Sequence, residues 1–370
     1  MTTTHSFTIT VNGSVYDVAD EPAHRTLLAW LRGRGLTGSK EGCAEGDCGA
    51  CSVAIVETRG DGTRAFRAIN SCIALLPMFA GREVWTVEGL AQAGHGGSLP
   101  SLEALHPVQR AMVENYGSQC GYCTPGFVVS MFEGYYRDVP EDPSRVVAEQ
   151  LHGNLCRCTG YRPIRDAMVQ ALEAKKKTTG DDLFQLRLKK PVPALPDLDY
   201  AAGGERFLRP TTLEALLRLR ALHPDAVLVA GATEIGVEIN KKARAFPLLV
   251  STEGVAELHA VAKTEAGFVV GGAATLTELE EGLGGAIPAI DKMLWVFASR
   301  QIRSRATLAG NLVTASPIGD MAPVLLALDA TIELSSFDAA SERVTSRTLP
   351  LSDFFLGYRK TALGPREIVS

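Results

Sequence analysis

Eight cysteines are the residues best suited to chemistry, and they are segregated: Cys43, Cys48, Cys51, Cys72, Cys120, Cys123, Cys156 and Cys158, with none later in the 370 residues. In "NLCRCTGY" (154–161) two thiols flank a single arginine. A disulfide there needs a strained ring, because bridged Cα atoms usually lie roughly 5.5 to 6 Å apart. A shared metal centre is therefore expected. The run "CAEGDCGAC" followed by Cys72 has the C-x4-C-x2-C…C spacing of a plant-type [2Fe–2S] centre. Zinc could use the same thiolates, but its usual arrangement is paired C-x2-C knuckles. Gly42, Gly46 and Gly49 suit a loop whose backbone amides approach inorganic sulfide.

The other four cysteines pair "CGYC" (Cys120, Cys123) with "CRC" (Cys156, Cys158), each just ahead of an expected helix opening at Pro125 or Pro163. Two helix amino termini would turn partial positive charge toward a tetrathiolate core, worth roughly 0.3 to 1 kcal/mol each when exposed. Alone, "CGYC" also reads as a thioredoxin-like dithiol and "CRC" as half a zinc site. Together they read as a second cluster site, with Arg157 directed away.

The elements that must position these thiols follow from periodicity. Phe7, Ile9 and Val11 alternate with polar residues up to Asn12-Gly13 and the apolar pattern resumes at Val15, which predicts a hairpin. "RTLLAWLRG" predicts a short helix ending near Gly33, and Val53–Val56 and Arg64–Ile69 predict strands, so residues 1–90 form a β-grasp-like unit. From His106 four segments carry apolar residues at helical spacing, so residues 91–174 form a four-helix unit. Residues 175–204 have linker composition. Beyond them "TTLEALLRLRALHPDAVLVAGATEIGVEI" predicts a capped helix, a buried strand and a glycine turn, with helices and strands expected to alternate to the end of residues 205–370.

With 46% hydrophobic and 21% charged residues, the chain suits two or three globular units. A net charge of −5 with scattered lysines and arginines leaves no footprint for nucleic acid. The amino terminus lacks a secretory pattern and no stretch approaches the length of a membrane span, so a cytoplasmic location without membrane contact is expected. There the cysteines point to metal or redox chemistry.

"EGCAEGDCGAC", "GSQCGYCTPGF" and "GNLCRCTGYRPI" resemble the iron–sulfur region of the xanthine dehydrogenase family of molybdenum hydroxylases, with all eight ligand positions filled. The resemblance implies an α+β multidomain chain: a ferredoxin-like β-grasp domain, a four-helix [2Fe–2S] domain, then an α/β FAD-binding domain of the vanillyl-alcohol-oxidase and CO-dehydrogenase flavoprotein type. It also implies that the helical domain's cluster lies nearer a molybdopterin on a partner chain, with Gln119 hydrogen-bonding that pterin. From the residues alone Gln119 is a polar loop residue.

In the last unit "LVAGATEIG" (228–236) is a strand broken by Gly231, but it is not G-x-G-x-x-G, so no Rossmann site is indicated. A second small-residue stretch runs through Gly310-Asn311 and Ser316–Asp320. Both are similar to the family's FAD loops. The resemblance places Leu228, Val229, Ala230, Gly231, Ala232, Thr233 and Glu234 around the diphosphate and Phe297 over the isoalloxazine. Thr307, Gly310, Asn311, Gly319 and Asp320 complete the pocket, and Val369 touches the flavin. Ala232 stands where many relatives have asparagine, and Gly319 replaces a common serine. "FFLGYRKTALGPREIV" resembles the start of the family's last flavin subdomain, so that subdomain is expected to be incomplete.

By resemblance, the chain is the electron-transfer subunit of a xanthine dehydrogenase, with two [2Fe–2S] clusters, FAD and NAD+ as co-substrate. Its partner would be a molybdopterin-binding large subunit, in a heterotetramer with two of each chain, and no catalytic residue is expected in these 370. The same role in an aldehyde or N-heterocycle hydroxylase, and a zinc-stabilised interaction module, are the alternatives.

Overall fold

The computed structural model describes residues 2–91, 101–137 and 144–370. Strands β1 (Ser6–Val11) and β2 (Ser14–Ala19) form the expected hairpin. Asn12 (φ 51°) and Gly13 (φ 79°) supply the left-handed turn that matches strand twist. Helix α1 (Leu27–Gly33) is capped by Thr26, whose hydroxyl accepts from the Ala29 amide, and it buries Leu27, Leu28, Trp30 and Leu31. Strands β3 (Ser52–Thr58), β4 (Arg64–Asn70) and β5 (Glu83–Trp85) complete a mixed sheet of order β2-β1-β5-β3-β4. The first cysteine loop lies between α1 and β3, free of helix and strand.

Four helices follow: α2 (Pro107–Glu114), α3 (Thr124–Tyr136), α4 (Ser144–Leu151) and α5 (Arg162–Lys177). Helix α3 buries every residue from Gly126 to Tyr135, because β3 and β4 cover one side and the other three helices cover the rest. Ala54, Val56, Phe66 and Ala68 of the sheet share one apolar core with Phe127, Val129 and Phe132 of α3. The two units are thus packed as one body through α3.

The segment read as linker is more ordered than its composition suggests. It holds helix α6 (Leu183–Leu188), started by a reciprocal cap between Asp182 and Gln185, and strand β6 (Leu198–Ala202). Phe184 of α6, the one buried residue of this helix, stacks edge-on against Trp85 and Phe132, with Leu188 and Val192 packed beside the same core. One buried residue leaves no periodicity to read.

Strands β6, β7 (Glu205–Arg209), β8 (Val227–Val229) and β9 (Leu248–Ser251) make a sheet of order β6-β7-β9-β8, with helices α7 (Leu213–Leu222) and α8 (Ile235–Lys242) as connections. Thr212 caps α7. Beyond the hairpin β10 (Val261–Thr264) and β11 (Gly267–Val270), the expected alternation gives way to five successive helices. These are α9 (Leu276–Leu283), α10 (Pro288–Val296), α11 (Arg300–Arg303), α12 (Leu308–Val313) and α13 (Met321–Ala327). The first four open on a local signal, the Thr275–Glu278 capping box, Pro288, Ser299 or Thr307, and α13 follows Asp320 without a side-chain cap. Strands β12 (Thr331–Asp338) and β13 (Arg343–Pro350), helix α14 (Leu351–Phe354), and strands β14 (Phe355–Gly357), β15 (Lys360–Thr361) and β16 (Ile368–Val369) end the chain, with β12 central between β13 and β16.

Candidate functional site

The loop after α1 wraps Cys43. Its sulfur accepts from the backbone amides of Asp47 and Cys48, both at 3.3 Å, and of Glu45 at 3.5 Å. Such a nest of amides favours a thiolate. The Cys72 thiol and those amides bring the Cys43 thiol down to about 3, while the same contact and burial push Cys72 up. Cys72 also bonds Cys51, so Cys43, Cys72 and Cys51 are contiguous, and Cys48 joins through Cys43. Glycine is required in this loop: a Cβ on Gly42 would sit 2.7 Å from Cys48 Sγ, and Gly46 and Gly49 have φ of +83° and +69°.

The second set comes from two helix starts. Cys123 is the N-cap of α3, and Cys156 and Cys158 precede α5. The structure pairs Cys120 with Cys158 and Cys123 with Cys156, across the two motifs. Burial pushes the Cys123 thiol up to about 12. Burial also opposes ionisation of Cys156, but the Thr159 hydroxyl and amide bring that thiol down. Four thiols drawn from two motifs could hold a two-iron core with two thiolates on each iron. Cys51 and Cys72 are buried, whereas Cys120, Cys158 and Gln119 are exposed.

The two sequence-predicted flavin loops lie side by side. Leu228 and Val229 end β8, Ala230 to Thr233 form the turn, and Glu234 is the N-cap of α8. A Cβ on Gly231 would fall 1.7 Å from the Arg305 carbonyl oxygen, so this glycine lets the loops touch. The Glu234 carboxylate accepts from Thr314 Oγ1 at 2.7 Å, which closes the second contact. Thr307 caps α12 through the Gly310 amide, Asn311 Oδ1 accepts from the Met321 amide at 3.4 Å, the Gly319 amide donates to Ser316 O, and Asp320 is the N-cap of α13. Ala232 adopts φ +62°, a left-handed conformation that asparagine tolerates better than alanine. Phe297 is buried in the cluster with Leu308 and Leu312, and Val369 of β16 pairs with Leu334 of β12. Ala230, Gly231 and Thr307 also line a cavity of about 1130 Å3 where all three units meet.

Several residues that bind the site together carry no sequence signal. Asn240 of α8 donates to the carbonyls of Cys72 (2.7 Å) and Ala44 (2.9 Å), tying the helix that begins at the glycine turn to the first cysteine loop. Buried Arg300 bonds Glu133 at 2.7 Å and Arg303 bonds Glu149 at 2.5 Å, joining α11 to α3 and α4. Around Glu253, Arg82 and Arg305 approach to 3.0 and 2.7 Å, joining the last unit to the first.

Three family models match in chain order. A "2Fe-2S iron-sulfur cluster binding domain" matches residues 9–76, a "[2Fe-2S] binding domain" matches 86–169, and a "FAD binding domain in molybdopterin dehydrogenase" matches 201–370. The chain is 36% identical to xanthine dehydrogenase of Emericella nidulans, over 93% of its own length and 28% of the relative's. It is 35% identical to xanthine dehydrogenase 1 of Arabidopsis thaliana and 34% identical to the xanthine dehydrogenase/oxidase of Mus musculus, over 97% and 100% of itself and 30% of each relative. It therefore spans less than a third of the length of these relatives. Among solved structures, quinoline 2-oxidoreductase from Pseudomonas putida is 30% identical, with 46% of this chain and 96% of that one covered and a TM-score of 0.36. On the sequence matches, this chain belongs to the xanthine dehydrogenase family of molybdenum hydroxylases and comprises two [2Fe–2S] domains and an FAD-binding domain.

Proposed function

We propose that the chain is the electron-transfer subunit of a xanthine dehydrogenase, with the four-thiol sets as ligands of two [2Fe–2S] clusters and the two glycine-containing loops as the FAD cradle. Residues 1–90, 91–174 and 205–370 form the three domains, with 175–204 between them. When bound, the clusters supply single-electron transfer and FAD supplies hydride exchange with NAD+. The observation that carries this reading is the order in which the chain's own residues lie. Cys120, Cys158 and Gln119 are exposed, where a partner holding molybdopterin can dock. Near them in the sequence, Tyr116, Tyr122 and Leu155 are 84%, 48% and 51% exposed. The Cys43 set is deeper, and Asn240 fastens it to α8, whose amino end carries Glu234 of the flavin loop.

Purine hydroxylation takes place on the partner, and a cytoplasmic heterotetramer with two of each chain is the assembly. An aldehyde or N-heterocycle substrate would leave this chain's role unchanged, since none of its residues is assigned to substrate. The test is co-purification with the partner, followed by molybdenum and flavin analysis and NAD+ reduction driven by xanthine, an aldehyde and a quinoline in parallel. Xanthine-dependent NAD+ reduction supports the reading. A complex that holds molybdenum and flavin yet reduces NAD+ only with the other substrates would overturn the purine assignment.

A further inference from the structure

The two cysteine loops touch each other, and the contact is built from glycines and one buried asparagine. The Leu155 amide donates to the Cys48 carbonyl at 3.0 Å, and Asn154 Nδ2 donates to the next carbonyl, Gly49, at 3.1 Å. These two rungs join the segment that carries Cys48 to the segment that carries Cys156. No side chain fits between them: a Cβ on Gly49 would lie 2.3 Å from the Gly153 oxygen, and one on Gly126 would lie 2.2 Å from the Gly49 oxygen. Asn154 is 2% exposed, and its Oδ1 accepts from Ser130 Oγ at 2.6 Å and Gln301 Nε2 at 3.0 Å. Gln301 comes from the flavin-binding unit and is itself 1% exposed. Among the described residues its Oε1 has no hydrogen-bond partner, so burying it costs the hydration it would keep at the surface. A buried amide held at that cost, in a fixed orientation, points to a positioning role.

We infer that Asn154, held by Ser130 and Gln301, is a positioning residue that keeps the Cys48–Leu155 hydrogen bond closed, and that this bond is the more direct bonded link between the two clusters. It starts beside Cys156 and ends on the carbonyl of Cys48 itself, whereas the other link, from the Tyr122 hydroxyl, ends on the Glu41 carbonyl two residues short of Cys43. The inference rests on the ligand assignment proposed above. The step it serves is a one-electron exchange: the group on the Cys156 side is oxidised, the group on the Cys48 side is reduced, and no proton or covalent bond changes. The flavin-binding unit is coupled to it through Gln301 alone among the residues that touch Asn154's side-chain oxygen.

Full-length protein reduced with dithionite tests this by electron paramagnetic resonance at low temperature, where two reduced centres split each other's signals. Asn154→Asp keeps the acceptor for Ser130 and Gln301 and removes the donor to Gly49. It should retain iron and sulfide yet show a diminished splitting and a shifted midpoint potential of at least one centre. Gln301→Met, which keeps the volume and removes the flavin-side donor, should change the splitting in the same direction and serves if the first variant does not fold. Iron at the wild-type level with unchanged splitting and potentials in either folded variant would overturn the inference. Absence of iron from the wild-type protein would instead overturn the ligand assignment and this inference together.

Discussion

Replacing Arg300 with methionine removes the charge that keeps Glu133 ionised in the dry centre of the molecule. Glu133 is fully buried, and its carboxylate accepts from Arg300 Nε at 2.7 Å, Gln150 Nε2 at 2.9 Å and the Ala68 amide at 3.1 Å. The three donors lie on α11, α4 and β4, so one carboxylate ties all three units. Burial opposes its ionisation, but Arg300, Arg137 and Arg67 hold it below the ordinary carboxylate range. Deleting one partner of such a pair leaves the other charge stranded and costs about 3 to 5 kcal/mol. Arg300→Met together with Glu133→Gln leaves no unpaired charge at position 133, where the glutamine carbonyl still accepts from Ala68, although Glu149, Glu280 and Glu281 still lose Arg300. The double variant should recover part of the loss, with a coupling energy of roughly 0.5 to 3 kcal/mol. Urea denaturation followed by tryptophan fluorescence, with iron content and limited proteolysis alongside, separates unit dissociation from global unfolding in a chain that need not unfold in two states. A single-variant loss within about 0.5 kcal/mol, the size of an ordinary surface change, or strict additivity of the two substitutions would refute the reasoning.

Three further outcomes are expected. Burial opposes ionisation of Glu149, yet Arg137, Arg300 and Arg303 hold its carboxyl down at about 2 against an ordinary 4.5. The folded value is the depressed one, so the stability it contributes, up to about 3 kcal/mol, is present above pH 4.5 and lost as pH falls toward 2; urea midpoints against pH should show this, and Glu149→Gln should flatten that profile. Gly231→Ala puts a Cβ against the Arg305 carbonyl oxygen, so it should lose FAD, read as released flavin fluorescence, while keeping its iron; normal flavin content would show that the loops do not form the cradle. All eight cysteines are free of disulfides and assigned as ligands, so mild thiol oxidants that spare cluster absorbance should leave the complex's ratio of NAD+ to oxygen reduction unchanged, and a rise reversed by dithiothreitol would contradict that.

The parts legible in the sequence were those set by local rules. Asn12-Gly13 specifies a tight hairpin, Pro125 and Pro163 open helices, and the cysteine spacings group the thiols before any contact is known. Residues that act across the chain were not legible. Glu133 and Arg300 are 167 positions apart, and Asn240 meets Cys72 across 168. An ionic or amide side chain is read as solvent-facing until its partner is placed, even where, as at Glu133, the flanking residues are apolar. Helix α6 escaped for the converse reason, since its one buried residue, Phe184, leaves no stripe. In the flavin-binding unit the strand–glycine–helix turn was recognisable, but the five helices from α9 to α13 are too short for periodicity to separate them from an alternating pattern.

The central claim, that two independent thiolate sets each hold a [2Fe–2S] cluster, is tested most directly by iron and sulfide analysis joined to electron paramagnetic resonance of Cys43→Ser and Cys158→Ser. Eight ligand thiols divided into two sets imply four irons and four acid-labile sulfides per chain, with each variant losing one of two signals and keeping the other. Zinc in place of iron after anaerobic purification, or loss of both signals from either folded variant, would contradict the account.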